Sequence, residues 1–439
     1  MVNYLMISFR ILANLLTRKN FPKIILMGFF CLTATGCLND KKIVGERQEI
    51  YADPLTGYLS NKGKNINLGK PRAISSITQV DNGPTHHFAH SSFSGSLSKA
   101  WETSVLKSGN LSAPIITEKN IFILDGKANM IAFDLNGNRV WVTGLAPKGE
   151  GRQISQYSGG LAIYKNKLFA LTGYGEIVSL NPSKGSIVWR RKFDSPFRGP
   201  PVINNKRLYS ISSNDMAIAM NFEGDILWTL EGATRPTVIG KGVAPASSKN
   251  RIFFPFSAGV LKAVRSSNGA EVWSQSFDDA KKGEAQSVIG DFGGSPIIKS
   301  GKIFMTSVSG QLLAINSGNG RIVWDAPVGS QSTPLIAGGS LFIVSSSGKL
   351  VRISEKTGKI IWSRSIGKKD KNQYKYFGPT LAGNYIWVTG TDGRLRKFDP
   401  VSGEQILEYN FRSPALYRPF AAHNKLFVIT RSGKLIAFN

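Results

Sequence analysis

Three of the four histidines lie within five residues of one another, in the stretch His86-His87-Phe88-Ala89-His90. Neutral imidazole is the commonest metal ligand in proteins, so this cluster is a candidate metal site. The stretch itself contains no carboxylate or cysteine that would complete a ligand set. The other interpretation is an ordered segment that packs on the main body of the protein. We expect the second arrangement, and therefore no metal.

The cysteines are Cys31 and Cys37, both near the start of the chain. No disulfide can therefore join two parts of the remaining chain, and no Cys-x-x-Cys motif for zinc or haem exists. Basic residues at 18–23 precede an apolar run of eleven residues at 24–34. Such a run is too short to cross a bilayer and has the proportions of a secretory signal.

The apolar run ends in Ala34-Thr35-Gly36-Cys37, which resembles the lipobox of bacterial lipoproteins. The resemblance implies that the Cys37 thiolate accepts a diacylglyceryl group and that Cys37 becomes the acylated N-terminus. Leu38 follows instead of Asp, which by resemblance to Gram-negative lipoproteins implies anchoring on the periplasmic face of the outer membrane. We predict a lipoprotein signal peptide at 1–36. Ordinary signal cleavage near the same place is the alternative.

The chain is strongly basic, with 55 Lys and Arg against 28 Asp and Glu and a net charge of +27. A field of this sign favours anionic partners such as lipid headgroups, lipopolysaccharide or acidic protein surfaces. The alternative is a solvated surface in an organism whose proteins are generally basic. We expect no nucleic-acid partner, because the Lys and Arg are scattered and no nucleic-acid-binding motif stands out. Between 37 and 95 the chain is polar, and we predict an acylated N-terminus followed by an extended tether.

Beyond position 96 the sequence repeats a unit in which a Gly precedes a Trp by four residues, and in most units an Asp or Asn precedes that Gly by three or four. Alternating residues before the Asp or Asn indicate a strand with one buried face. The Asp or Asn opens a turn, and the Gly supplies its positive φ. The Trp is expected to fill the seam between neighbouring units while its N–H binds a backbone carbonyl. Successive tryptophans lie 38 to 51 residues apart, the period of a four-stranded propeller blade.

The last repeat, Gly433 to Asn439, stops at its third strand, and Ser96 to Trp101 can supply the fourth. The sequence therefore predicts an all-β fold at 96–439, an eight-bladed β-propeller of four-stranded blades closed by pairing of N- and C-terminal strands. Seven blades remain possible if one unit is misread. The predicted blade-packing residues are Trp101, Trp141, Trp189, Trp228, Trp273, Trp324 and Trp362.

The repeat is similar to that of the pyrroloquinoline-quinone-like propellers. Together with the lipobox, the tether and the short blades, it resembles the BamB family, the lipoprotein B component of the outer-membrane β-barrel assembly machinery. The resemblance implies a non-enzymatic scaffold that docks on the periplasmic repeat domains of the barrel-inserting subunit. It also implies that unfolded outer-membrane proteins are clients, and that the scaffold aids their folding and insertion.

The resemblance further implies that two neighbouring loops dock on the partner. One carries Asp-x-Asp in the family. Here Asp291 matches the first Asp, and Gly293 replaces the second. The adjacent loop, 232–245, offers Arg235. Asp291 can equally be a carboxylate that caps its own turn.

Two other functions stay open at this point. One is a quinone-dependent periplasmic oxidoreductase, and the other is an envelope propeller that binds acidic polymers through its basic body. The body lacks the adjacent cysteine pair that the quinone-dependent enzymes place over the cofactor, and it shows no evident acidic calcium site. We therefore expect neither enzymatic activity nor a cofactor.

Overall fold

The repeats fold into 32 strands, and two short 3-10 turns, Val80–Asn82 and Ser257–Gly259, are the helical elements within the described ranges. The structure is a computed structural model that describes residue 55 and the ranges 65–95, 97–105, 111–147, 159–197, 199–232, 242–277, 291–308, 310–367 and 374–439. In those ranges no helix reaches the length and hydropathy needed to cross a membrane.

The strands form eight antiparallel four-stranded sheets, so the predicted all-β, eight-bladed propeller is confirmed. Strands are given from the inner to the outer edge of each blade. Blades 1 to 4 are β2 (Ile115–Ile116), β3 (Asn120–Leu124), β4 (Asn129–Asp134) and β5 (Arg139–Gly144); β6 (Gly160–Tyr164), β7 (Lys167–Leu171), β8 (Glu176–Leu180) and β9 (Ile187–Lys192); β10 (Val202–Asn204), β11 (Arg207–Ile211), β12 (Met216–Met220) and β13 (Ile226–Glu231); and β14 (Ala246–Ser248), β15 (Arg251–Phe256), β16 (Val260–Arg265) and β17 (Glu271–Ser276). Blades 5 to 8 are β18 (Ile297–Lys299), β19 (Lys302–Thr306), β20 (Leu312–Asn316) and β21 (Ile322–Ala326); β22 (Leu335–Ala337), β23 (Ser340–Val344), β24 (Lys349–Ser354) and β25 (Ile360–Ser365); β26 (Tyr376–Ala382), β27 (Tyr385–Gly390), β28 (Arg394–Phe398) and β29 (Gln405–Asn410); and β30 (Phe420–Ala422), β31 (Lys425–Ile429), β32 (Lys434–Phe438) and β1 (Lys99–Ser104).

The hydrophobic core lies in the seams between blades rather than at one centre. One apolar cluster joins Phe122 and Met130 of blade 1 to Leu168 and Val178 of blade 2, and similar clusters occupy other seams. The third strands are covered on both faces, and all five residues of β8 are buried. The outer strands keep one face in solvent, as in β13, where exposed and half-buried residues alternate. This burial gradient explains why the second and third strands hold more of the buried apolar residues than the outer strands do.

Tryptophans at the end of the repeat unit join each blade to the next. The indole lies against the turn glycine of the following blade: a Cβ added to Gly224 would come within 3.1 Å of Trp189. Glycine also supplies the positive φ of this turn, +96° at Gly224. The indole N–H donates to a turn carbonyl at 3.0 to 3.3 Å in six seams, from Trp101 to Leu135, Trp141 to Pro182, Trp189 to Phe222, Trp228 to Ser266, Trp273 to Ser317 and Trp324 to Glu355.

The seam after blade 6 departs from this pattern. Trp362 is fully buried, yet its indole N–H meets no acceptor among the described residues. By analogy with the other seams its acceptor would be the carbonyl of Pro400. That carbonyl instead accepts a long bond of 3.5 Å from the buried guanidinium of Arg352. Burial of Arg352 lowers the pKa of its guanidinium, and the charge of Asp399 opposes that shift.

The ring closes between the first and last strands of the described propeller. β1 pairs antiparallel with β32, with Thr103 opposite Leu435, so β1 is the outer strand of blade 8. Trp101 packs on Gly137 of blade 1 as its counterparts do in the other seams. The predicted eighth blade is therefore completed by a strand from the other end of the sequence.

Candidate functional site

Residues 65–95, which precede β1, are here called the strap. The strap crosses the hub, the centre of the propeller that the inner strands surround. Hydrogen bonds from the strap reach the blades in order around the ring. Each pair gives the strap residue first: Ile74 and His423 of blade 8, Ile77 and Ile116 of blade 1, Thr78 and Ile163 of blade 2, Gln79 and Ile203 of blade 3, Pro84 and Ser247 of blade 4, Thr85 and Ile298 of blade 5, and Ser91 and Leu381 of blade 7. Ile66 lies against Gly338 of blade 6. All eight blades therefore touch the strap.

The strap corrects the prediction of an extended tether for the part of that segment that the structure describes. Residues 65–95 lie against the inner strands instead of extending away from them, and Leu55 is also buried against blades 5 and 6. The two ends of the strap lie side by side, because the Arg72 N–H donates to His90 and the Ser92 N–H donates to Arg72. The strap is thus a loop laid over one end of the hub.

A buried ionic cluster holds the middle of the strap in the hub. The Asp81 carboxylate accepts a hydrogen bond from the Thr333 hydroxyl at 2.8 Å, and its oxygens lie 3.8 Å from Arg418 Nη2 and 3.6 Å from His86 Nδ1. Arg418 also donates to the Thr333 carbonyl at 2.9 Å, and its guanidinium lies 4.2 Å from the centre of the Phe88 ring.

The electrostatics of the cluster favour an ionised Asp81. Burial raises the pKa of the Asp81 carboxyl, but the charge of Arg418, the nearby His86 ring and the hydrogen bond from Thr333 outweigh it. The pKa therefore lies below its ordinary value of 3.8. This carboxylate is the sole acidic group of the strap and is turned into the protein.

The three clustered histidines belong to the strap and face different partners. His86 is buried, and its Nε2–H donates to the Pro245 carbonyl at 2.9 Å. His90 accepts from the Asn384 N–H, whereas His87 is exposed. Although His87 keeps contact with solvent, partial desolvation of its ring lowers its pKa, and the charge of Lys299 lowers it further. Among the described residues no three His, Cys, Asp or Glu side chains converge to hold a metal ion.

The strands that flank the predicted docking loops meet at the opposite end of the propeller, where each outer strand leads toward the next inner strand. Arg235 falls at 233–241, outside the described residues. Asp291 is described and is buried, with 6% of its surface exposed. Its carbonyl accepts from the Val308 N–H at 2.9 Å. The structure therefore places Asp291 inside the base of its loop rather than on its surface.

Close packing explains why Gly293 stands where the family pattern has a second Asp. A Cβ on Gly293 would lie 1.7 Å from the Ser330 carbonyl oxygen of blade 6. No side chain fits at this position without moving the backbone. Phe292 pairs with Ser307, and the corresponding Phe197 and Ala415 pair with Ser212 and Thr430 in blades 3 and 8. The loop base is thus a repeated structural feature of the fold.

Sequence reasoning missed the strap contacts. The available signal is the short run Ile74 to Val80, in which Ile77 and Gln79 are buried while Thr78 and Val80 are partly exposed. That alternation indicates a strand-like segment, although it is too short to stand out among polar neighbours. Cys37 and the predicted signal peptide lie outside the described residues.

Comparison with known proteins decides the family. The family profile described as outer membrane protein assembly factor BamB matches residues 144–364, half of the chain. The chain belongs to the BamB family. The outer membrane protein assembly factor BamB of Yersinia pestis is a relative at 23% identity over 325 residues, which covers 73% of this chain and 82% of that protein.

Solved structures share the fold of this BamB-family chain. The crystal structure of BamB from Moraxella catarrhalis superimposes with a TM-score of 0.64 at 17% identity, covering 78% of this chain and 97% of that one. The quinohemoprotein alcohol dehydrogenase of Comamonas testosteroni gives the same TM-score at 12% identity, covering 83% and 80%. At these identities the similarity shows the propeller alone, so function has to be argued from the family and the site.

Proposed function

We propose that this protein is a non-enzymatic scaffold of the outer-membrane β-barrel assembly machinery, located in the envelope and held at the outer membrane through Cys37. It docks on the barrel-inserting subunit and thereby aids folding and insertion of outer-membrane proteins. The observation that carries the proposal is the BamB profile match across 144–364, on a body with the eight blades of that family. Membership of the family supports an envelope location.

The arrangement of the two ends supports docking as the activity. The strap covers the hub at the end where the inner and second strands are joined. The strands that flank the Asp291 and Arg235 loops meet at the other end, and the strap reaches the base of one of these loops from inside the hub, where His86 bonds the Pro245 carbonyl. We propose that these neighbouring loops of blades 4 and 5 form the docking surface. In this proposal Arg235 contacts the partner, while the buried Asp291 fixes the base of its loop.

Affinity purification from detergent-solubilised envelopes tests the proposal, with the co-purifying proteins identified by mass spectrometry. We expect recovery of the barrel-inserting subunit with the unsubstituted chain. Arg235→Glu should reduce that recovery at least about tenfold, because reversing one buried or hydrogen-bonded charge at an interface costs several kcal/mol. Asp291→Asn keeps the shape of the side chain and should reduce recovery less.

The matched control is Lys127→Glu, a charge reversal at the same end of the propeller but on blade 1, which should leave recovery unchanged. Absence of the barrel-inserting subunit from every purification would overturn the proposed function. Equal recovery with Arg235→Glu would remove the proposed interface while leaving the function standing. Dye reduction after reconstitution with pyrroloquinoline quinone and calcium would assign the chain to the oxidoreductases instead.

A further inference from the structure

Two sets of turns share the end of the propeller that the strap covers, here called the hairpin end. One set joins inner to second strands, and the other joins third to outer strands. Contacts between neighbouring blades show that the sets are adjacent: Lys167 pairs with Glu223 at 2.8 Å, Arg251 donates to the Ser317 carbonyl at 3.0 Å, and Lys299 pairs with Glu355 at 2.9 Å.

Exposed cations dominate the hairpin end along blades 2 to 6. Six exposed residues define this basic arc. Lys165, Lys206 and Lys249 lie in hairpins between inner and second strands, and Lys184, Arg265 and Lys356 lie in turns between third and outer strands. The exposed acids among the described residues of these turns are Glu223 and Asp225, and Glu271 lies beside them at the start of β17. Glu223 and Glu271 are each paired, with Lys167 and Lys262, so they add little negative field of their own.

The strap extends the same charge toward the hub. Its basic residues Lys70 and Arg72 are exposed, whereas its single acid, Asp81, is turned inward against Arg418. The hairpin end therefore presents cations from the rim to the hub, and few exposed carboxylates lie beside them along the arc.

The backbone holds the hairpin cations in fixed positions. Lys165, Lys206 and Lys249 lie in the two-residue turns of three successive hairpins, with φ of +51°, +59° and +56°. Each hairpin is anchored by antiparallel pairing of its two strands. Cations repeated in successive turns at one end of the propeller match an extended anionic surface better than a single folded partner.

We infer that the basic arc binds anionic phospholipid headgroups, so that the hairpin end lies against a membrane surface. Charge complementarity supplies the attraction, since each lysine or arginine near an anionic leaflet contributes appreciably to binding. This contact is independent of a lipid anchor and goes beyond the proposed function. It leaves the opposite end, with the loops at Asp291, directed away from the bilayer.

Vesicle flotation tests the inference with the full chain carrying Cys37→Ser, which removes acylation. Vesicles of phosphatidylglycerol and phosphatidylcholine are compared with vesicles of phosphatidylcholine alone, so that any binding by apolar segments cancels. We expect binding to the anionic vesicles that falls steeply with added salt. The triple variant Lys165→Asn, Lys206→Asn and Lys249→Asn should lose at least about tenfold in partition, because each charge is worth about fivefold.

Asparagine is chosen because it tolerates positive φ, so the hairpins keep their conformation. The matched control removes three exposed cations from the opposite end, Lys127→Gln, Lys375→Gln and Arg431→Gln, and should keep the partition of the parent. A second variant, Lys184→Gln, Arg265→Gln and Lys356→Gln, removes the turn cations and should lose as much as the first.

Several outcomes overturn the inference. Equal partition onto both kinds of vesicle, or equal loss in the opposite-end control, would remove the basic arc as the binding surface. Capture of soluble polyglutamate as tightly as the vesicles would assign the arc to acidic polymers instead. Recovery of the barrel-inserting subunit is measured separately, so failure of this inference and failure of the proposed function are distinguishable.

Discussion

At the scale of single residues, Asp81 shows how one side chain fixes a non-repetitive segment in a repetitive fold. It has a φ of +52°, and its carboxylate meets Thr333 of blade 6 and Arg418 of blade 8. A charged hydrogen bond in a buried site contributes more than a neutral one. The strap is therefore attached at its middle by charge as well as by backbone pairing.

Asp81→Asn should destabilise the protein by about 2 kcal/mol at neutral pH, because it removes the ion pair with Arg418 and weakens the charge-assisted hydrogen bond from Thr333. Asparagine accepts the positive φ, so the loss reports the charge. The pKa of Asp81 is depressed in the folded state, so its stabilisation is present above the ordinary value of 3.8 and is lost as pH falls through the folded pKa. Denaturant unfolding at several pH values should show the two proteins converging in acid.

Glu118→Gln, which changes an exposed carboxylate in a turn of blade 1, serves as the control and should leave the midpoint within about 0.5 kcal/mol of the parent. A constant difference between Asp81→Asn and the parent down to the most acidic pH tested would contradict an ionic role for Asp81.

At the scale of elements, the strap behaves as a ninth component of the propeller. Gln79 stands in for a strand partner of blade 3: its side chain donates to the Ile203 carbonyl at 3.2 Å and accepts from the Ile203 N–H at 2.7 Å. Both groups of Ile203 are buried. The strap thus satisfies backbone groups that short inner strands leave open.

Gln79→Ala should cost about 2 to 3 kcal/mol of unfolding free energy, because it leaves a buried N–H and a buried carbonyl without partners. Ser75→Ala, at an exposed position of the strap, should cost less than about 0.5 kcal/mol. Hydrogen exchange of the Ile203 amide gives a local readout. Unchanged protection of that amide in Gln79→Ala would show that the strap does not hold blade 3.

At the scale of the whole molecule, closure of the ring depends on contacts between distant parts of the chain. β1 covers the edge of β32, and Trp101 packs between Phe427 of its own blade and Gly137 of blade 1. An uncovered edge strand is a template for pairing with another molecule. Ring closure therefore protects the protein from self-association as well as stabilising it.

Trp101→Ala should lower stability by about 3 to 5 kcal/mol and promote self-association, because it weakens the seam where the ring closes. Light scattering after size-exclusion chromatography measures the association, and thermal unfolding measures the stability. Val140→Ala, an exposed outer-strand position of blade 1, is the control and should change neither. A monodisperse monomer of parent stability would show that Trp101 is dispensable for closure.

The sequence alone determined the features that each repeat specifies locally. The blade period, the Asp or Asn turns, the tryptophans at the seams and the fourth strand of blade 8 all follow from a short pattern that recurs. Neighbouring repeats are also neighbours in space, so a pattern seen in one unit predicts its contact with the next. Trp362 is an exception to this pattern. The Pro400 carbonyl, which the pattern predicts as the acceptor of its indole N–H, accepts a hydrogen bond from Arg352 instead.

The tertiary structure alone decided what the non-repetitive residues do. Gln79 bonds a residue 124 positions further on, and Ser91 bonds Ala421, 330 positions away. No local pattern encodes such partners, so residues 65–95 were predicted as a tether and are instead a strap. The same reason explains why Asp291 is buried and why scattered lysines form the basic arc. Both depend on which strand ends the closed ring brings together.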